Sequence, residues 1–154
     1  MSISVEFKNR INDLVDEAVY SNKINKADFP KLMSIDYSSF SNALKYGIIP
    51  TPRITTKIAD YFNVSFSYLL GKTNSEYFSK SKKNETFADR INLLCKEQNI
   101  TYGFVCKECN FYSGYLTRWI KNNYIPSWEF LDILADYFKV SPDYLLGRTD
   151  DRNL

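Results

Sequence analysis

Residues 134–150 read LADYFKVSPDYLLGRTD, and residues 58–74 read IADYFNVSFSYLLGKTN. The two stretches lie 76 positions apart and agree at 11 of 17 places. A match that dense marks an internal repeat, which has to be settled before fold is argued. Each copy spells two short helices. Leu131, Leu134, Ala135 and Phe138 recur at i, i+3, i+4, i+7, the spacing of one helix face. Ser141-Pro142-Asp143 then starts a second helix: a hydroxyl cap, a proline in the first turn and an acid beside it. Gly147 ends that helix, since glycine enters the left-handed conformation at no steric cost. Ile58, Ala59, Phe62, Ser65 and Gly71 repeat the pattern in the first copy.

Working outward, FKNRINDL at 7–14 matches FADRINLL at 87–94, now at an offset of 80. The first half therefore holds four extra residues between Leu14 and Ile24. Four is about one helical turn, so its first helix lengthens without rotating its apolar face. That helix is expected from about Val5 to Tyr20. A second helix follows, with Thr101 as its cap in one half and Asn25 in the other. Pro30 is tolerated only in a first turn, which moves the first-half helix nearer Asp28. A third helix is expected from about Ser113 to Lys121 and from Tyr37 to about Tyr46, the latter capped by Asp36. The fold class is all-α: domains at 1–74 and 86–154, joined by a polar linker, 75–85, carrying Tyr77 and Phe78.

Composition bounds the function. Hydrophobic residues make up 44% and charged residues 25%, ordinary for a globular protein. No apolar run approaches the roughly 18 residues of a membrane span. MSISVEFKNR has no signal-peptide core, so a cytoplasmic location is expected. The net charge is +2, with +2 on residues 1–74, +1 on 75–85 and −1 on 86–154. Binding to nucleic acid would then rest on local placement of charge. The chain has three cysteines and no histidine. Cys106 and Cys109 form a CxxC, but no second pair completes a zinc set, and core thiols are the expected reading. Without histidine, a nucleophile–base pair or a phosphate-cradling glycine loop, an enzyme is not expected, nor any cofactor or metal.

Five short helices in this order, with the second and third joined by a tight turn, resemble the lambda-repressor-like helix-turn-helix family of the Xre/Cro type. ITYGFVCKECNFYSGYLTRWIKNNYIPSWEFLDILADYFKVSPDYLLGRTD, residues 100–150, carries the resemblance. The first half shares it less regularly, through Pro30 and the added turn. The family's usual glycines around helix 3 are replaced by Asn110 and Asn122, and by Ser34 in the first half, where Gly47 is kept one place along. Tyr102 and Lys26 stand where the family often has glutamine.

The resemblance implies two tandem five-helix DNA-binding domains and a transcription regulator, a repressor of phage or mobile-element type, with double-stranded operator DNA as partner. A major groove about 12 Å wide admits one α-helix if its outer face carries short or donor-bearing side chains. In the second domain those are Ser113, Gly114, Tyr115, Thr117, Arg118, Lys121 and Asn122. In the first they are Ser38, Ser39, Ser41, Asn42 and Lys45. Arg118 would pair with guanine, Asn42 with adenine, and Tyr115 with a thymine methyl or a phosphate. Tyr102, Lys26, Lys45 and Lys121 suit phosphate positioning. Gly114 fits either a close approach to DNA or a weak helix position. Taken alone, Arg118 and Lys121 also fit a solvated helix face.

Half-sites lie about 34 Å apart, and an extended linker of about 11 residues reaches roughly 35 Å. One chain would then read a non-palindromic site, and a homodimer with four domains stays open. So does a second class of function: a protein-interaction module on the same fold, antirepressor-like or antitoxin-like, with one domain used for dimerisation. The low net charge and the tyrosines Tyr46, Tyr112, Tyr115 and Tyr124 favour a protein partner.

Overall fold

The computed structural model describes residues 2–153. Among these the chain is all-helical, with ten α-helices, one 3-10 turn and a single isolated bridge between Ile3 and Ile48. Among the described residues no helix is long and apolar enough to cross a membrane. The chain divides into two compact units, residues 1–78 and 79–154.

The first unit holds α1 (Val5–Asn22), the 3-10 turn (Lys26–Asp28), α2 (Phe29–Met33), α3 (Tyr37–Tyr46), α4 (Pro52–Phe62) and α5 (Phe66–Leu69). Ser4 caps α1 by accepting the Phe7 N–H. Asn25 precedes the 3-10 turn without a side-chain cap bond. Pro30 falls in the first turn of α2, the place where its missing N–H costs nothing. Asp36 caps α3, accepting the Ser39 N–H at 2.8 Å. The core gathers on Phe7, Ile11, Phe29, Ile58, Ala59 and Leu69, all sealed from solvent. Phe29 stacks on Phe40 at 6.0 Å and meets Tyr61 edge-on at 5.8 Å.

The second unit holds α6 (Phe87–Gln98), α7 (Tyr102–Glu108), α8 (Tyr115–Lys121), α9 (Trp128–Phe138) and α10 (Pro142–Leu145). Thr86 and Asp89 form a reciprocal capping box on α6. Thr101 caps α7 through the Phe104 N–H. Ser141 caps α10 through the Tyr144 N–H, as Ser65 caps α5 through Tyr68. The core is aliphatic at its centre, with Ile91, Val105, Leu116, Leu131, Leu134 and Leu145 buried. Aromatics collect at its rim, where Phe111, Tyr115, Trp119 and Phe130 lie 5.2 to 6.3 Å apart ring to ring.

The backbone of the two units turns at matching places. Left-handed residues occur at Lys23, Ser34, Gly47, Asn63 and Gly71, and again at Asn99, Asn110, Asn123, Lys139 and Gly147. Each of the second set lies 76 positions after its counterpart. These residues end helices, where a left-handed residue lets the last carbonyls find donors. The α2–α3 turn closes with Ile35 N–H donating to Pro30 O at 2.9 Å, and the α7–α8 turn with Phe111 N–H donating to Cys106 O at 2.8 Å. After α8 the left-handed residue is Asn123, not Asn122, whose φ is −92°.

A matching clasp ties the first and last helices in each unit. The Arg10 guanidinium lies 4.1 Å from the Tyr68 ring centre, and that of Arg90 lies 4.3 Å from Tyr144. Arg10 also donates to Asn74 Oδ1 at 2.6 Å. Arg90 is far more enclosed, 1% exposed. It donates to Thr149 O and Asp150 Oδ1, both at 2.9 Å, and its Nε sits 2.6 Å from Glu85 Oε2 at an angle poor for a hydrogen bond. Asp143 and Arg148 form a second buried pair nearby.

Residues 75–85 are parcelled out between the units. Glu76 accepts from the Tyr68 hydroxyl at 3.0 Å, and Phe78 is buried while Tyr77 is exposed. Ser81 N–H donates to Arg148 O, and its hydroxyl to Asp150.

Candidate nucleic-acid interface

On α8, Leu116 and Trp119 point into the core. Thr117, Arg118, Lys121 and Asn122 are exposed, at i, i+1, i+4, i+5, and so share the opposite face. Ser113 and Gly114 are exposed too, but they lie before the helix, which begins two residues later than the sequence suggests. The reason is the cap. Asp36 supplies one to α3, and its counterpart 76 positions on is Tyr112, which makes no cap bond. Glycine at 114 adds the usual backbone entropy against helix. The turn closes instead through Tyr115 N–H donating to Tyr112 O at 3.1 Å.

Tyr115 is half-buried, and the fold uses its ring. The ring lies 5.2 Å from Trp119, 5.3 Å from Tyr112 and 5.5 Å from Phe130. It is a wall of the rim cluster rather than a free reader. Arg118 passes over that wall, its guanidinium 5.9 Å from the ring centre, at the outer limit of a cation–π contact. Tyr102 is half-buried as well, and its hydroxyl donates to Asn92 Oδ1 at 3.2 Å. Burial, and secondarily the Cys95 thiol, pushes its phenol pKa up, so it stays a neutral donor.

On α3 the buried stripe is Phe40, Ala43 and Leu44. Ser38 and Lys45 are exposed, while Ser39, Ser41 and Asn42 are half-buried. Ser39 is occupied: its N–H and its hydroxyl both donate to Asp36 at 2.8 Å. The Ser39 N–H, then the Ser39 hydroxyl, hold the Asp36 carboxyl below the usual range. A carboxylate therefore sits at the start of α3, where a phosphate would otherwise find helix N–H groups. Lys26 is exposed on the 3-10 turn.

The structure thus brings Thr117, Arg118, Lys121 and Asn122 onto one open surface, with Ser113 and Gly114 at its edge. The first-unit set is more recessed. Of the tyrosines that the sequence gathers around the third helices, Tyr46, Tyr112 and Tyr124 are exposed, Tyr112 by 76%, while Tyr115 is half-buried. Sequence reading missed an open cleft of about 330 Å³ against α3. No periodicity marks such a cleft, because it is made by two segments meeting. Among the described residues no three His, Cys, Asp or Glu side chains are grouped to hold a metal. Burial raises the pKa of Cys95 and of Cys109, each with a smaller contribution from Cys106, which disfavours their reactive thiolates.

Compared with protein-family models, curated proteins and solved structures, the chain matches none.

Proposed function

We propose that the chain is a sequence-specific DNA-binding transcription regulator, built from two tandem lambda-repressor-like helix-turn-helix domains. The observation that carries this reading is the division of α8. One side is locked into the core by Leu116 and Trp119, and the other offers Thr117, Arg118, Lys121 and Asn122 to solvent. A short helix so divided, entered through a tight turn at left-handed Asn110, suits insertion into a major groove. Arg118 is the residue for guanine and Lys121 for phosphate.

The second unit is the principal reader in this proposal. Asp36 puts a negative charge at the entry to α3, where the second unit has Tyr112, and Ser39 is committed to that carboxylate. The first unit then contributes through Ser38, Asn42, Lys45 and Lys26, with weaker phosphate contact. Selection of bound duplexes from random DNA, with the whole chain and with Arg118→Ala, tests the proposal. Enrichment of one sequence, relaxed at one base position by the substitution, is the expected result. No enrichment at modest salt would end it.

A protein-interaction reading is favoured by the exposed Tyr112 and Tyr124, since aromatic rings at a surface are typical of protein contacts. It predicts that DNA selection enriches nothing at modest salt, that pull-down with the whole chain recovers a protein, and that Tyr112→Ser with Tyr124→Ser abolishes that capture.

A further inference from the structure

The cleft on the first unit has a chemistry of its own. Its floor is Phe40 and Leu44, both buried apart from the edges that face it. Ala27 and Tyr37 wall it, and Ser41 lines it from α3. Lys26 and Lys45 stand at its rim, and no acid lines it. Neither ammonium is engaged in an ion pair among the described residues. Two unneutralised cations over an apolar floor complement a molecule with an apolar body and a negative head. A volume of about 330 Å³ sits at the small end of ligand pockets.

The counterpart positions in the second unit do not repeat this chemistry. Lys26, Ala27 and Tyr37 become Tyr102, Gly103 and Ser113 at the 76-residue offset. One cation and both walls are lost, so a ligand of this class would discriminate between the halves.

We propose that the cleft is an effector site for a small amphipathic organic carboxylate, its apolar body on Phe40 and Leu44 and its carboxylate between Lys26 and Lys45. Ser41 and Lys45 also belong to the outer face of α3, so an occupied cleft and bound DNA compete for the same side chains. That second half rests on the DNA-binding reading above; the first half does not.

The test is a titration of the free full-length protein with 2-naphthoate, followed by amide NMR. Saturable shifts are expected around Ala27, Tyr37 and Ser41, with a dissociation constant of about 1 mM for a ligand of this size. The neutral 2-naphthalenemethanol is expected to bind about fivefold more weakly. Lys26→Gln and Lys45→Gln, both exposed and harmless to the core, each weaken naphthoate about threefold. Scattered shifts, equal binding of the neutral compound, or no saturation by about 10 mM would overturn the site. Binding of an acidic amphipathic peptide over these amides, with naphthoate inert, would overturn it in favour of a protein segment. On a selected duplex, naphthoate should weaken binding through the first unit and leave the contacts of α8 in place. Occupation of the cleft with no loss of duplex affinity would overturn the coupling, whereas absence of any DNA binding would strike the proposed function and leave the titration to decide the cleft.

Discussion

Replacing Arg90 with alanine is expected to destabilise the second unit strongly. The side chain is 1% exposed, so its aliphatic stem leaves a cavity. The Thr149 carbonyl loses a donor at 2.9 Å in a buried place, a cost of about 1–2 kcal/mol. The Tyr144 ring loses a cation at 4.3 Å, about 1 kcal/mol. Glu85 and Asp150 are one-third and nearly one-half exposed, so water takes the place of the arginine and they add little. The total is on the order of 3 kcal/mol, a large share of the roughly 4–10 kcal/mol expected of a unit this size. Both tryptophans, Trp119 and Trp128, lie in this unit, so their fluorescence during urea unfolding reports on it directly. With a urea slope near 1 kcal/mol/M, the midpoint should fall by about 3 M. Arg90→Lys keeps the stem and one charge and should cost about half as much. In the first unit Arg10 is only half-buried, so water replaces more of what it touches, and Arg10→Ala should cost about 1 kcal/mol, read from hydrogen exchange of α1 amides. A tryptophan midpoint that moves by less than about 1 M for Arg90→Ala would refute the clasp as a stabilising element.

Gly147 has φ +73°, and a Cβ there would collide with the Glu85 carbonyl oxygen, so Gly147→Ala should cost about 2 kcal/mol or more by the same assay. Lys139 holds φ 56° without glycine's freedom, and Lys139→Gly should stabilise by up to about 1 kcal/mol. Arg118→Ala should weaken binding to the selected duplex by about 1–3 kcal/mol and leave the unfolding midpoint in place. The carboxyls of Asp150, held down first by the Ser81 hydroxyl and then by Arg90, and of Glu97, held down by Arg152, titrate below their unfolded values. Their stabilisation is complete above the ordinary carboxylate range and is lost as pH falls through the depressed values. Acid unfolding below about pH 4 should therefore be blunted in Asp150→Asn combined with Glu97→Gln.

Local chemistry was legible in the sequence. Asp36, Ser65, Thr101 and Ser141 make the cap bonds their residue types promise, and Gly71 and Gly147 take the left-handed turn. These depend on neighbours within a few positions. What escaped was set by distant partners. Tyr115 stands on the helix expected to face DNA, but Phe111, Trp119 and Phe130 draw its ring into their cluster. Ser39 looks free until Asp36 turns toward it. The start of α8 was missed because Tyr112 replaces a capping acid, a difference visible only once the halves are aligned at 76. The clasp of Arg90 on Tyr144 spans more than fifty positions, and no helical period announces it. Asn122 and Asn123 are adjacent and chemically alike, so only the geometry distinguishes which one bends backward.

The five left-handed corners keep their spacing although four of the five pairs differ in residue: Lys23 with Asn99, Ser34 with Asn110, Gly47 with Asn123, Asn63 with Lys139. The spacing of the bends is therefore kept even where the residue that makes them is not, although Gly47, Gly71 and Gly147 have no room for a side chain. A gene spliced to run from the start to Asn63 and then on from Val140 would encode every bend at its proper interval. With the bends in register, the condition such a splice still has to meet is packing, since the core is rich in phenylalanine in one half and aliphatic at its centre in the other.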